Sequence, residues 1–247
     1  TPGAFPAAMP NFTITGGCLG ARNIAAADMN GDGNLDIVSG CDGADNINVW
    51  LGNGNGSFQP VVAVSSGVGM IGSMFVNDIA LGDFDNDGDI DLVCTNDVTN
   101  RMRIMLNQGN GTFLLGSLFS GVNYHTLALA DFNDDGNLDI AVSAYGVNQV
   151  RVLLGDGTGA FPIMDSYAAG SNIRGITAAD FNGDGRMDIA VAGFGLQQKF
   201  TVLLRNSSAY TVGSAFAGFV TYNSNCVQTH DILSGDIDGD GDMDLFI

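Results

Sequence analysis

The sequence predicts an all-β fold assembled from repeated four-stranded antiparallel units. Three observations carry that expectation. All 27 acidic residues are Asp, with no Glu, and Lys occurs once, at Lys199; helices favour Glu and Lys, whereas Asp bonds its own backbone in turns. The 36 glycines among 247 residues are about twice the usual share, which favours many turns. An Asp-rich string then recurs five times: DMNGDGNLD from residue 28, DFDNDGDID from 83, DFNDDGNLD from 131, DFNGDGRMD from 180 and DIDGDGDMD from 236. That is the period of roughly 50 residues expected of a repeat architecture.

Each repeat supplies its elements in order. A first strand precedes the motif, with Ile24, Ile79, Leu127, Ile176 and Ile232 four residues ahead of the first Asp and only Ala or Gly (Ala27, Gly82, Ala130, Ala179, Gly235) directly before it. The motif is the hairpin loop. A second strand follows as LDIVSG, IDLVCTN, LDIAVSAYG, MDIAVAG and MDLFI, short apolar runs that read as buried strands. A third reads INVWLG, MRIMLN, VRVLLG and FTVLLR in the first four repeats, and a Gly/Asn turn leads to a fourth through Phe58, Phe113, Phe161 and Phe216. A small sheet of this kind cannot bury both faces alone and is stabilised by stacking on its neighbours, as the blades of a β-propeller are.

Residues 1–247 are therefore expected to form a single β-propeller domain of four-stranded antiparallel blades, with five repeats visible and the last blade incomplete. GAFP at 3–6 matches GAFP at 159–162, so the N-terminal segment, residues 1–20, is expected to add a fourth strand that closes a blade or contacts a neighbour. The last repeat stops after its second strand, and its third is the missing element. The start at Thr1, without Met or a basic leader, reads as that of a processed or trimmed chain.

The formal net charge of −19 repels phosphate backbones and anionic headgroups, which argues against nucleic acid as a partner. No apolar run reaches the ~18 residues of a membrane span. Cys18, Cys41, Cys94 and Cys226 lack CxxC pairs, and with only His125 and His230 beside them a zinc site is not expected. Cys18 and Cys41 fall at the ends of neighbouring strands and are expected to form a disulfide. Cys226 shares the offset of Cys18, and its equivalent partner position falls past residue 247.

The motif fits DxDxDGxxD, with Asn allowed at the third position. Alternate residues of such a loop turn their oxygens onto one point, and Gly at the sixth position permits the bend. The candidate ligands are Asp28, Asn30, Asp32, Asn34 and Asp36; Asp83, Asp85, Asp87, Asp89 and Asp91; Asp131, Asn133, Asp135, Asn137 and Asp139; Asp180, Asn182, Asp184, Arg186 and Asp188; and Asp236, Asp238, Asp240, Asp242 and Asp244. The seventh position contributes its backbone carbonyl, since Arg186 cannot ligate through its side chain. Converging carboxylates repel unless neutralised, and all-oxygen donors suit Ca²⁺ better than Mg²⁺. About five Ca²⁺ are expected; five matches in register argue against metal-free turns. An EF-hand would need flanking helices and Glu at position twelve, and neither is present.

On strings such as ADFNGDGRMDIAVAG and VLLGDGTGAF, the chain resembles the FG-GAP-like or VCBS repeat family, which includes the β-propellers of integrin α subunits. The resemblance implies a propeller with Ca²⁺ in the hairpin between the first two strands of each blade. The family usually closes with more than five blades.

Beyond the metal loops, Arg22, Asn77, His125, Arg174 and His230 stand six residues before each motif, where a propeller's first strands ring the central channel. They read as a hydrated rim or as a site for a small anionic or saccharide ligand. Asp78 and Asp231 occupy the next position, but without a nucleophile motif no enzyme activity is expected. Asn11, Asn55, Asn110 and Asn206 begin N-x-S/T sequons, read either as glycosylation sites or as turn chemistry. Trp50 aligns with Met105 and Leu153 and is expected in the core. The function read from the sequence is a calcium-stabilised extracellular or cell-surface module for adhesion or structure, with protein subunits or surface proteins as partners and a filament as one mode of assembly. The alternatives are a glycan-binding, lectin-like module or a non-catalytic part of a larger surface enzyme or receptor.

Overall fold

The computed structural model describes residues 20–42, 45–69, 76–193, 199–206, 209–224 and 230–247. They form four four-stranded antiparallel sheets and one two-stranded sheet. The first sheet contains β1 (Gly20–Ala27), β2 (Asp36–Asp42), β3 (Asn46–Trp50) and β4 (Val62–Ser65). The second contains β5 (Asp78–Gly82), β6 (Asp91–Asn96), β7 (Arg101–Asn107) and β8 (Phe113–Ser120). The third is β9 (Tyr124–Ala130), β10 (Asp139–Ala144), β11 (Gln149–Leu154) and β12 (Ile163–Ala168). The fourth is β13 (Ile173–Ala179), β14 (Asp188–Gly193), β15 (Lys199–Arg205) and β16 (Phe216–Asn223). The fifth pairs β17 (Leu233–Gly235) with β18 (Asp244–Phe246). The only helix among the described residues is a 3-10 turn at Tyr145–Val147, and none of them forms a helix long and apolar enough to cross a membrane.

Within each sheet the strands lie in chain order, and the register is the same in all five. The residue before the motif faces the ninth-position Asp: Ala27 opposite Asp36, Gly82 opposite Asp91, Ala130 opposite Asp139, Ala179 opposite Asp188 and Gly235 opposite Asp244. The motif is thus the hairpin loop between the first two strands, as its spacing implied. Successive first strands also touch, β1 on β5, β5 on β9, β9 on β13 and β13 on β17, so the sheets stack face to face with their first strands on one side.

Stacking explains the apolar runs. β6 and β10 are buried at every residue, because each is covered on both faces by adjoining sheets. Val38, Ile47 and Val49 meet Leu92 and Met105 between the first two sheets. Met102 and Ile104 meet Ile140 and Leu153 between the next two, and Val150 and Val152 meet Ile189 and Leu203 after that. Fully burying such a side chain is worth roughly 1.5–3 kcal/mol, a return that no sheet obtains alone.

Two expectations need correction. Phe113 and Phe216 begin β8 and β16, but Phe161 and Phe58 precede β12 and β4. Phe161 instead packs edge-on against Phe84 of the preceding motif, centroids 5.7 Å apart, as Phe216 packs on Phe132 at 6.0 Å. Trp50 is only partly buried and lies outside the apolar clusters, although Met105 and Leu153 are fully buried. It shares the face of the first sheet that carries exposed Ile24, a face on which no other described sheet packs. The proposed N-terminal strand, Cys18, Cys226 and Asn11 lie outside the described residues.

Candidate metal centre

Each motif loop is built by local hydrogen bonds. The first Asp receives the N–H of the sixth-position Gly, as in Gly33 to Asp28 (2.7 Å), Gly136 to Asp131 (2.8 Å) and Gly185 to Asp180 (2.7 Å). The fifth Asp receives the N–H of the seventh residue, from Asn34, Asp89, Asn137, Arg186 and Asp242, at 2.8–3.0 Å. Two left-handed residues make the bend. The sixth position is Gly in every loop, with φ between +82° and +95°, where a Cβ is strained. The fourth is Gly31, Asn86, Asp134, Gly183 or Gly239, also at positive φ, and Asn and Asp are the non-glycine residues that tolerate it best.

The ninth Asp has a second task. In four loops both of its oxygens accept backbone N–H groups, one from the second motif residue and one from the end of the third strand. For Asp36 these are Met29 and Gly52 (2.8 and 2.7 Å), and for Asp91 Phe84 and Asn107 (both 2.8 Å). For Asp139 they are Phe132 and Gly155 (2.8 and 2.7 Å), and for Asp188 Phe181 and Arg205 (3.1 and 2.8 Å). All four side chains are fully buried. Burial, opposed by these N–H bonds and helped by the charge of neighbouring motif carboxylates, pushes the Asp91 carboxyl up to about 6 and Asp139 up to about 7.

The loops are also wedged against the following sheet. Gly111 donates to the carbonyl of Met29 (3.0 Å) and Gly159 to that of Phe84 (2.9 Å). The fully buried Arg205 makes a two-pronged bond to Asp134 (2.8 and 2.7 Å), a geometry suited to guanidinium and carboxylate. Organisation of one loop is thus coupled to docking of the next sheet.

The donor sets differ between loops. Asp83, Asp85 and Asp91 bring carboxylate oxygens within 4.8 Å of one another, as do Asp236, Asp238 and Asp240. In the second loop Asp83 Oδ1 and Asp85 Oδ1 are buried without a hydrogen-bond partner, a costly state for a carboxylate unless a cation meets it. The second loop therefore fits a hard divalent cation. In the first, third and fourth loops the third position is Asn30, Asn133 or Asn182, so three carboxylates do not converge there. Each Asn Oδ1 accepts the N–H of the fifth residue, at 3.1, 2.9 and 3.0 Å. The fourth loop brings its own cation, since the Arg186 guanidinium bonds the Asp184 carboxylate and its Nε reaches the Arg205 carbonyl at 3.3 Å.

Polar side chains beside and within the second strands tie onto the backbone of the next sheet's first strand. Asn77 Nδ2 and Thr95 Oγ1 donate to the carbonyl of His125 (3.1 and 2.7 Å), and Ser143 Oγ donates to that of Arg174 (2.8 Å). The His125 ring lies 6.3 Å from Tyr145, over which Arg174 stacks at 5.1 Å. His230 and Asp231 are exposed, and the side chain of Arg22 is outside what the structure describes. Asp78 joins three repeats, accepting the Asn23 amide, the Leu127 N–H (2.8 Å) and the Ile79 N–H (2.9 Å).

Burial pushes Asp78 up to about 7; its N–H bonds oppose this, and the negative charge of Asp231 adds to it. A carboxyl whose folded pKa is raised stabilises the fold fully below the ordinary carboxylate range, and that contribution is lost as pH rises through about 7. Calcium-free protein is expected to melt higher at pH 5 than at pH 8, and Asp78→Asn is expected to reduce that difference, with Asp91 and Asp139 supplying part of the remainder. An equal slope in the variant would remove Asp78 as its source.

The sequons at Asn55 and Asn110 are turns in this structure. Asn55 Oδ1 accepts both the N–H and the hydroxyl of Ser57 (3.0 and 2.7 Å), and Asn110 does the same for Thr112 (2.9 and 2.6 Å). Asp156 repeats the arrangement with Thr158 (3.0 and 2.7 Å), where no glycan could attach. Both Asn side chains are exposed, as is Asn206. Cys41 is buried and disulfide-bonded, its expected partner Cys18 lying outside the described residues; Cys94 is a free, buried thiol.

Repeating sheets, each with an Asp-rich hairpin between its first two strands, define the class, and the chain belongs to the FG-GAP-like repeat family, whose model matches residues 28–94, 83–142 and 131–191. No curated protein matches the chain in sequence. Among solved structures it is similar to an Agrocybe aegerita lectin that recognises non-reducing terminal N-acetylglucosamine (22% identity, 81% of this chain and 51% of that one, TM-score 0.52). It is also similar to a protein from Lactobacillus plantarum (15%, 82% and 55%, TM-score 0.54) and to BBS1N in complex with ARL6DN (13%, 86% and 54%, TM-score 0.54). The chain spans about half the length of each, and at these identities the likeness is one of fold.

Proposed function

We propose that the chain forms a calcium-stabilised extracellular β-propeller that serves, without catalysis, as an adhesion or structural surface module for protein subunits or other surface proteins. The observation that carries the calcium reading is the pair of buried, unpartnered oxygens on Asp83 and Asp85, beside Asp91 in a bend that could not otherwise hold so much negative charge. The ligand residues are those of the five motifs, and loops two and five, with five Asp each, bind more tightly than loop four, where Arg186 already neutralises Asp184. A disulfide at Cys41 supports an oxidising, extracellular location.

Calorimetric titration of chelator-treated protein tests this reading. Calcium is expected to bind with several equivalents, and Asp83→Asn combined with Asp85→Asn is expected to remove one tight site. Titration without heat, or unchanged stoichiometry in the double variant, would refute it. The likeness to the Agrocybe lectin favours glycan binding as the second reading, to be tested on a glycan array with Arg174→Ala and Trp50→Ala as controls.

A further inference from the structure

In four sheets the third strand ends in a backbone N–H that meets the ninth Asp at 2.7–2.8 Å. The residue that supplies it differs: Gly52, Asn107, Gly155 and Arg205. At Gly52 and Gly155 a Cβ would collide with the carbonyls of Leu35 and Leu138, so no side chain stands there. Asn107 and Arg205 carry one, and these residues are buried, at 1% and 0% exposure.

Both side chains reach back to the loop of the preceding sheet. Asn107 Nδ2 donates to the carbonyl of Met29 in the first loop (2.8 Å) and to that of Ile90 in its own, second loop (3.0 Å). Met29 stands between the candidate ligands Asp28 and Asn30, and Ile90 directly precedes Asp91. The Arg205 guanidinium holds Asp134 of the third loop (2.8 and 2.7 Å). Its backbone N–H holds Asp188 of the fourth loop (2.8 Å), and its carbonyl accepts Arg186 Nε (3.3 Å). Between the second and third loops the side-chain link is Asn86 Nδ2 to Asn137 Oδ1 (2.9 Å), a bond exposed to water.

Burial decides which of these links couples its two loops. The Asn86 amide can exchange its partner for water. An Asn107 amide that loses the Met29 carbonyl strands a donor in the core, and Arg205 without Asp134 strands a charge there; both states are costly. The first and second loops are therefore ordered together, and so are the third and fourth. A cation that orders one loop of a pair has already met part of the ordering cost of the other.

We infer that Asn107 and Arg205 are positioning residues that make cation binding cooperative in two pairs, the first loop with the second and the third with the fourth. The inference rests on the calcium reading given above. Because such coupling is reciprocal, disabling the first loop weakens the second.

Calorimetric titration of the chelator-treated full chain with calcium, following the tight site that Asp83→Asn with Asp85→Asn removes, tests it. Asp32→Ala disables the first loop by changing an exposed side chain that does not touch Asn107, and it is expected to weaken that tight site at least about fivefold. Asp135→Ala removes the same charge from the third loop, whose side-chain link to the second is the exposed one, and is expected to weaken the site less than about twofold. With Asn107→Gly, which places there the residue of two other sheets, Asp32→Ala is expected to lose its effect. A role in stability alone would lower the melting temperature and leave the Asp32→Ala effect in place. The comparison of Asp32→Ala with Asp135→Ala leaves the core untouched and decides the matter even where Asn107→Gly fails to fold. No effect of Asp32→Ala, equal effects of Asp32→Ala and Asp135→Ala, or an effect that survives Asn107→Gly would overturn the inference and leave the calcium reading standing. Absence of any calcium binding would overturn both.

Discussion

Removing calcium from the folded protein is expected to lower its melting temperature by tens of degrees. A ligand that binds only the folded state stabilises by mass action, about 2.7 kcal/mol per site at 100 times Kd. Each kcal/mol moves the midpoint of a domain this size by about 2–4 °C, so one loop contributes roughly 5–10 °C. Several together rival the 5–15 kcal/mol that keeps an ordinary domain folded. The effect should spread beyond the loops, because Gly111 and Gly159 hang the next sheet on the carbonyls of Met29 and Phe84. Melting followed by circular dichroism, with and without EGTA at pH 7.5, decides the matter. Superimposable curves would leave the loops as ordinary hydrogen-bonded turns.

Asp139→Ala is expected to cost about 3–5 kcal/mol even at saturating calcium, well beyond Asp135→Ala. Asp135 is exposed, and its substitution removes one candidate ligand and loop bonds open to water. Asp139 is fully buried, and its loss strands the N–H groups of Phe132 and Gly155, at about 1–3 kcal/mol each. Relief of a buried charge whose pKa is pushed up to about 7 offsets part of this, so Asp139→Asn, which keeps one acceptor, should fall between the two. Urea unfolding of the three variants in excess calcium gives the comparison. Equal losses for Asp135→Ala and Asp139→Ala would mean that the ninth carboxylate is a ligand and no more.

Residue spacing alone supplied the repeat, the order of its strands, the hairpin position of each Asp loop and the left-handed glycine at its sixth place. All depend on contacts a few residues apart: an Asp oxygen reaching an N–H two to five positions on, or a strand folding back beside the one before it. Such contacts recur with the period, so aligning the repeats is enough to find them. The Asn at the third position was equally visible, but all five loops were expected to gather carboxylates, and the division between them comes from the geometry.

What only the tertiary structure decided lies between sheets. The second bond of the ninth Asp comes from 16 or 17 residues downstream, Arg205 meets Asp134 across 71 residues, and Phe161 covers Phe84 instead of opening a strand. Trp50 aligned with core residues yet is only partly buried, since equivalent positions share a strand but not a neighbour. Asp78 looked like a channel carboxylate and is a tie between three repeats. Alternation along a strand says that a side chain faces one side or the other. What stands on that side is set by the stacking of whole sheets.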